Sequence, residues 1–272
     1  MSNILQRHWL TTVRRDAPGA FLEARTVYCG TDCEVGAFLK VDPVSFTVIE
    51  ATWENYSPPA ANMDIVGLRG VQAYFDCGPA LKEALAGMGE FPRSVFADTV
   101  RGVIQAETFL YTERGFASAV EYSNYWEKFY ADSCRYYSNL HRVNRKWHEY
   151  AGHMRTSNLF NRFKAQSVYR EVNDYRVCSQ LSDSFHELNV EIVLDRQLVV
   201  TECRGTLLRV PDPVCQEAAV FLDQMVSRPA SAQSKKQIAG LLGRGDGCVH
   251  LIDMVYEALE SVTIAIEVIG II

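Results

Sequence analysis

An apparent internal repeat constrains the fold of this chain more than any other feature. The segment CEVGAFLKVD at 33–42 matches HELNVEIVLD at 186–195, and both segments end at an aspartate, Asp42 or Asp195. Each then continues into a second β-rich run, FTVIEA at 46–51 and LVVTEC at 198–203. The alternation of apolar and polar residues, with many β-branched side chains, predicts two antiparallel strand pairs with the aspartate at each turn.

Predicted helices follow the strands in both halves. Met63 and Cys215 lie 13 residues after the matched glutamates Glu50 and Glu202, and they precede the predicted helices DIVGLRGVQAYF and QEAAVFLDQMV. Further on, VRGVIQAETFL at 100–110 aligns with GDGCVHLIDMV at 245–255. This second alignment pairs Gly102 with Gly247, Val103 with Cys248, and Gln105 with His250.

The repeat predicts an α+β protein of two pseudo-repeated halves, each a small antiparallel sheet with helices packed on one face. Residues 1–115 form the first, degenerate copy, and residues 166–272 form the second copy with the Cys-x-His motif. Residues 116–165 connect them, and aromatic residues near helical spacing predict a long amphipathic helix there, broken near Ser138. One continuous sheet shared by both halves is the strongest alternative.

Composition and charge restrict the binding partners and the cellular location that we expect for this protein. The 272 residues have a formal net charge of -6, which argues against general nucleic-acid binding. The basic stretch from Arg135 to Lys164 could hold a phosphate or single-stranded nucleic acid, but a solvated helical face is the favoured interpretation. No stretch near residue 1 resembles a signal peptide, because no uninterrupted apolar segment follows the charges, and no apolar run approaches the length that spans a bilayer. We therefore expect a cytoplasmic protein with reduced thiols.

The sequence GDGCVHLID predicts the start of a helix, with a cysteine and a histidine close to that start. We expect a helix from Cys248 to about Leu259, capped by Asp246, because an apolar stripe follows at helical spacing. The stripe comprises Leu251, Met254, Val255, Ala258, Leu259 and Val262. If Cys248 lies at the N-cap, its sulfur and the His250 imidazole can converge, and the helix terminus should lower the pKa of the thiol.

The alignment of the two halves suggests further ligands for a metal ion. His186 opens the second strand unit and Cys215 opens the first helix of the same half. Together with Cys248 and His250 they form a predicted four-residue site for a transition metal such as zinc or iron. The first half has lost most of these residues. The alternative is that the cysteines pack in the core and the histidines are ordinary polar groups.

The second half also resembles an uncharacterised bacterial family, a domain of unknown function. Its members carry a strand opened by histidine and ended by an aspartate turn, a later Pro-x-x-Cys, and a C-terminal Gly-Cys-Thr-His-Leu. Here FHELNVEIVLD, PDPVC and GCVHL correspond to them over roughly residues 168–265, with Val249 in place of threonine. The resemblance supports the same four residues and implies no particular reaction.

Three functions remain open at this point. The first is a metal- or thiol-dependent domain that binds a small ligand, and the second is a structural or protein-interaction module without metal. The third is an enzyme with Cys248 as nucleophile and His250 or His186 as base. The apolar tail SVTIAIEVIGII at 261–272 additionally predicts a homodimer, with packing into the chain's own core as the near-equal alternative.

Overall fold

One sheet dominates the computed structural model, which describes residues 1–17 and 19–269. Within that part of the chain the sheet has nine strands in the order β5-β4-β3-β2-β1-β6-β7-β8-β9. The strands are β1 (Ser2–Arg15), β2 (Leu22–Gly30), β3 (Glu34–Val41), β4 (Val48–Asn55), β5 (Ala61–Asp64), β6 (Asn158–Arg170), β7 (Asp174–Asp183), β8 (Glu187–Asp195) and β9 (Val200–Arg209). Neighbours pair antiparallel from β2 to β5 and from β7 to β9.

The prediction of mixed helix and strand content is confirmed, but the prediction of two separate small sheets is wrong. The structure has the alternative arrangement, one continuous sheet. The long strands β1 and β6, which were not predicted, are neighbours in its middle. Two isolated sheets would each have left one of these long strands with an unpaired edge, and pairing them satisfies those backbone groups.

Contacts along the chain define two compact units. One unit contains residues 1–8, 124–146 and 164–272, and the other contains residues 9–123 and 147–163. The division into 1–115, 116–165 and 166–272 concerns sequence repeats rather than contacts, and it stays a prediction.

The predicted strand pairs and their aspartate turns are present. The Asp42 carboxylate accepts the backbone N–H of Val44 and Ser45 between β3 and β4. The Asp195 carboxylate accepts the N–H of Gln197 and Val199 between β8 and β9. Asx-type hydrogen bonds of this kind hold a tight turn without help from the rest of the protein. Both turns therefore form for the local reason that the sequence indicates.

The helices match the predictions unevenly. In the described residues they are α1 (Gly78–Ala84), α2 (Glu90–Ala106), α3 (Ala119–Phe129), α4 (Arg135–Ser138), α5 (His148–Ala151), α6 (Lys235–Leu241) and α7 (Val249–Ile269). The predicted helix at 64–75 is wrong, since short 3-10 turns occupy that stretch, and 216–226 lies in a run of 3-10 turns over Pro213–Met225. The connector forms three short helices instead of one long helix, with a left-handed residue, Asp132, between α3 and α4.

Helix α7 supplies much of the core of its unit. It packs against β7 and β8, and all six residues of the predicted apolar stripe are buried. The helix is longer than predicted because its apolar face continues through the fully buried Val262 and Ala265. That part of the apolar tail thus packs into the core of its own unit. Residues 270–272 of the tail lie outside the described residues, and the homodimer stays a prediction.

Across the described residues, we find no helix that combines the length and the apolar character needed to cross a membrane.

Cys203 on β9 provides a test of how tightly this core excludes water. Burial, with a smaller contribution from the Asp223 carboxylate, raises the pKa of its thiol from an ordinary value of 9.0 to about 12. The unfolded chain therefore releases this proton at lower pH than the folded chain, and folding stability falls as pH rises above about 9. Between pH 8 and pH 10.5 the unfolding free energy of Cys203→Ala should therefore fall by about 2 kcal/mol less than that of the wild type.

Urea unfolding of the wild type and of Cys203→Ala at pH 8 and pH 10.5 measures this effect. The pH-independent cost of the smaller side chain cancels when each protein is compared with itself. An equal pH dependence in the two proteins would show that the thiol is accessible to water.

Candidate functional site

The turn between β7 and β8 presents two polar side chains in a fixed geometry. Asp183 is the last residue of β7, and its Oδ1 accepts the backbone N–H of Phe185 at 2.8 Å and of His186 at 2.7 Å. The same oxygen lies 3.1 Å from Nδ1 of His186. The Asp183 side chain is fully buried and the His186 side chain is 12% exposed. The turn therefore fixes a carboxylate beside an imidazole.

Arg209, the last residue of β9, holds this turn from the neighbouring strand. Its Nη2 donates to the carbonyl oxygen of Asp183 at 2.7 Å and to that of His186 at 3.2 Å. Charged donors form the stronger class of protein hydrogen bonds. The backbone of both turn residues is consequently restrained from outside the turn.

A glycine-rich loop sets the start of α7. Gly243 has a φ of 85°, a conformation that other residues rarely adopt. A Cβ added at Gly247 would lie 1.8 Å from the carbonyl oxygen of Leu242. The connector holds the loop, since Ser138 Oγ donates to the carbonyl of Gly245 and the Arg135 N–H to that of Gly247, each at 2.7 Å.

Cys248 lies directly before α7 and occupies the N-cap position. Its carbonyl accepts the first helical N–H, from Ile252, at 3.1 Å. The backbone N–H groups of His250 and Leu251 interact with its sulfur in the direction that lowers the pKa of the thiol. The predicted cap, Asp246, is wrong, because it belongs to a separate 3-10 turn over Arg244–Asp246. A sulfur atom thus takes the place of the usual capping oxygen.

The reactivity expected for Cys248 does not follow from its position. Burial raises the pKa of its thiol to about 12, although hydrogen bonds from Leu251 and His250 act in the opposite direction. The expectation of a lowered pKa is therefore wrong, since loss of hydration outweighs the helix terminus. Only 9% of the residue is exposed. A neutral, buried thiol is a poor nucleophile.

The N-cap placement of Cys248 brings His250 toward the β7–β8 turn. The ring centroids of His186 and His250 lie 4.0 Å apart with an interplanar angle of 38°. Potential ligand atoms of Asp183, His186 and His250 all lie within 4.8 Å of one another. Two strands, one turn and the start of a helix therefore gather two imidazoles and a carboxylate.

The four-residue prediction overlaps this cluster only in part. Both predicted histidines belong to it, and the Cys248 sulfur lies 4.0 Å from Nδ1 of His250. Cys215 is buried in the 3-10 run near Cys248, and neither cysteine is a member of the cluster. The sequence interpretation missed Asp183, although the spacing Asp-x-x-His before a strand could have indicated it.

The basic stretch of the connector is matched by acidic partners within the same unit. Arg135 and Arg142 both pair with Glu217. Lys146 lies 3.3 Å from Glu127. Pairing of this kind lowers the positive potential that binding to a phosphate backbone requires. The pairing supports the interpretation of this basic stretch as an ordinary solvated surface.

Gly247→Ala tests the tight start of α7. The added methyl group would collide with a backbone carbonyl that no side-chain rotation can move, so we expect a loss of about 2–3 kcal/mol in unfolding free energy. Gly240→Ala in α6 is the matched control, because its Cβ meets nothing within 4 Å. There alanine should stabilise by about 0.5 kcal/mol. Chemical denaturation measures the unfolding free energy of both variants. Equal values for Gly247→Ala and Gly240→Ala would contradict the tight loop.

The fold and the site together define an α+β protein with a His–His–carboxylate cluster at the start of a long helix. Residues 141–264 match the model of a family described as a protein of unknown function (DUF2889). The resemblance of the second half to an uncharacterised family is thus confirmed, and the match begins earlier than the expected residue 168. It includes the three cluster residues, Cys215 and Cys248. No curated protein and no solved structure matches this chain.

Proposed function

We propose that the second half of this protein is a metal-binding domain and that Asp183, His186 and His250 hold the ion. The observation that carries the proposal is the convergence of their three ligand atoms within 4.8 Å of one another. Buried or half-buried polar groups that converge in this way need a function or a partner to offset their desolvation.

The ligand set favours a divalent transition metal, such as zinc or iron(II). Neutral imidazole and carboxylate ligands suit zinc, and two histidines with one carboxylate are also typical of non-haem iron(II) sites. Metal–ligand bonds of about 2.1 Å at right angles place neighbouring ligand atoms about 3 Å apart. The 3.1 Å between Asp183 Oδ1 and His186 Nδ1 agrees with that spacing.

Three protein ligands leave at least one coordination position for water or a small ligand. Such open positions distinguish catalytic and ligand-binding metal sites from purely structural ones. Cys248 is the nearest further candidate, since its sulfur is 4.0 Å from His250 Nδ1. The four-residue site with Cys248 and Cys215 remains part of the proposal as an alternative ligand set. The nucleophilic role of Cys248 is the weaker alternative because the thiol is buried and neutral.

Titration of the full chain, purified without a histidine tag and stripped with a chelator, tests the proposal. We expect one equivalent of Co(II) to bind with visible d–d absorption and to be displaced by Zn(II). A thiolate-to-cobalt charge-transfer band would assign a cysteine ligand, Cys248 or Cys215, and its absence would assign the three-residue set. A chain that binds no Co(II) or Zn(II) at micromolar concentration would remove the metal site and leave the structural or interaction module.

We also infer that the two halves derive from one repeated unit. Each half contains strands in meander order, an aspartate turn before the fourth strand, and a long helix after the strands. Gly102 lies inside α2 whereas Gly247 precedes α7, so the helical part of the alignment requires a different register. No disulfide bond joins any of the eight cysteines in the described part of the chain. A reducing, cytoplasmic setting remains part of the proposal.

A further inference from the structure

We propose that the buried ion pair between Lys164 and Glu257 sets the register of α7 on the sheet and thereby brings His250 to His186. This inference rests on the proposed metal site, whose third ligand it positions. Lys164 and Glu257 are not among the three proposed ligands, so both are positioning residues.

The contacts between β6 and α7 form a chain of buried polar groups. Lys164 Nζ lies 2.7 Å from Glu257 Oε1, and Gln166 Nε2 donates to Glu257 Oε2 at 3.3 Å. The Lys164 side chain is 7% exposed and that of Glu257 18%. Ser261, fully buried one turn further along, donates to Gln166 and accepts from Arg7 Nη1 at 3.1 Å. Apart from Ser261, the buried residues of α7 that the structure describes are apolar.

Apolar packing alone specifies the position of α7 poorly. The stripe on α7 recurs every three or four residues, so a slip of one helical turn, about 5.4 Å, presents similar side chains to the sheet. The same slip would carry His250 out of reach of His186, whose ring centroid now lies 4.0 Å away. It would also separate Glu257 from Lys164 and leave a buried charge without compensation. The ion pair therefore discriminates between registers that apolar contacts treat alike.

The distance along the helix shows how the effect is transmitted. His250 and Glu257 are seven residues apart, which corresponds to about 10.5 Å of helix axis. A continuous α7 transmits a fixed position over that length as a rigid element. The ion pair thus acts on the metal site through the helix rather than by direct contact.

Replacement of the pair by apolar residues separates positioning from stability. Buried ion pairs exchanged for apolar residues of similar size are often neutral or stabilising. We expect Lys164→Met/Glu257→Leu to remain folded, to bind Co(II) at least 10-fold more weakly than the wild type, and to show altered d–d absorption. The charge exchange Lys164→Glu/Glu257→Lys should recover most of the affinity. Glu267→Gln is the control, since its side chain is exposed on the same helix.

A second readout does not depend on metal. Nuclear Overhauser contacts between the ring protons of His186 and His250 should be present in the metal-free wild type and in Glu267→Gln. They should be lost in Lys164→Met/Glu257→Leu. Contacts and Co(II) affinity that both persist in the apolar variant would overturn the inference. A wild type that shows the contacts but binds no metal would overturn the proposed function, and loss of the contacts in the apolar variant would still support the register.

Discussion

Replacing His250 with alanine is expected to weaken binding of Co(II) and Zn(II) at least 100-fold. The substitution removes one of three proposed ligands and leaves Asp183 and His186 on a single turn. Loss of a residue that only orients a ligand typically costs 10–100-fold in metal affinity, so loss of the ligand itself should exceed that range. Competition titration with a chelator of known affinity measures the change.

His141→Ala is the matched control for this prediction. His141 is exposed, lies in the same compact unit and stands within the family match, but it is outside the cluster. We expect its metal affinity to equal that of the wild type. If both alanine variants lose affinity equally, the histidines bind metal as scattered surface groups and the proposed site is wrong.

Asp183→Asn distinguishes a ligand from an orienting group. An amide oxygen can still accept the N–H groups of Phe185 and His186, so we expect the turn to persist. A loss of affinity beyond 100-fold indicates that the carboxylate binds the ion, whereas a loss of about 10-fold indicates that Asp183 only orients His186. Titration of this variant beside His250→Ala places Asp183 in one of the two roles.

Asp212→Ala should reduce the unfolding free energy by about 4 kcal/mol, because it leaves three backbone N–H groups without their acceptor. Asp212 is 1% exposed. Its carboxylate accepts the N–H of Val214 at 3.0 Å, of Asn144 at 2.7 Å and of Arg145 at 2.9 Å. It therefore caps the 3-10 run and fastens the connector to the same unit.

Chemical denaturation of two further variants supports this measurement. Asp223 is exposed near the end of the same 3-10 run, and Asp223→Ala should change the unfolding free energy by less than about 0.5 kcal/mol. Asp212→Asn retains one acceptor oxygen and should fall between the wild type and Asp212→Ala. Similar stabilities for Asp212→Ala and Asp223→Ala would mean that water replaces the carboxylate at no cost.

The hydrogen bonds to Asp212 agree with the start of the family match. The match begins at residue 141, inside the predicted connector, rather than at the first strand of the second half. The backbone of residues 144 and 145, close to the start of the match, is bound to Asp212. This part of the connector thus packs as part of the unit that contains the candidate site.

Local patterns predicted the parts of the fold that local interactions determine. The turns at Asp42 and Asp195 form through hydrogen bonds within a few residues, and α7 follows from its apolar stripe. Strand β1 was missed because its buried face includes Arg7 and Thr11, which interrupt the alternation of apolar residues. The predicted helix at 64–75 failed because it rested on the alignment with residues 216–226, and neither stretch forms an α-helix.

The candidate site was predictable only in its histidines. His186 and His250 stood out because the repeat and the glycine-rich loop drew attention to them. Asp183 becomes significant only when the turn folds its carboxylate onto His186, at 3.1 Å. The pKa of Cys248 depends on burial by residues distant in sequence, which no local pattern reveals.

The three cluster residues come from two parts of the chain that are far apart in sequence. Asp183 and His186 lie on a hairpin turn, whereas His250 belongs to a helix that begins more than 60 residues later. An ion bound by all three residues would close a long loop. It would bind the native chain in preference to the unfolded chain, so a higher ion concentration would raise the unfolding free energy. If the proposed site binds an ion, the unfolding free energy of the folded metal-free chain would rise with the logarithm of the ion concentration, and a chelator would return it to the metal-free value.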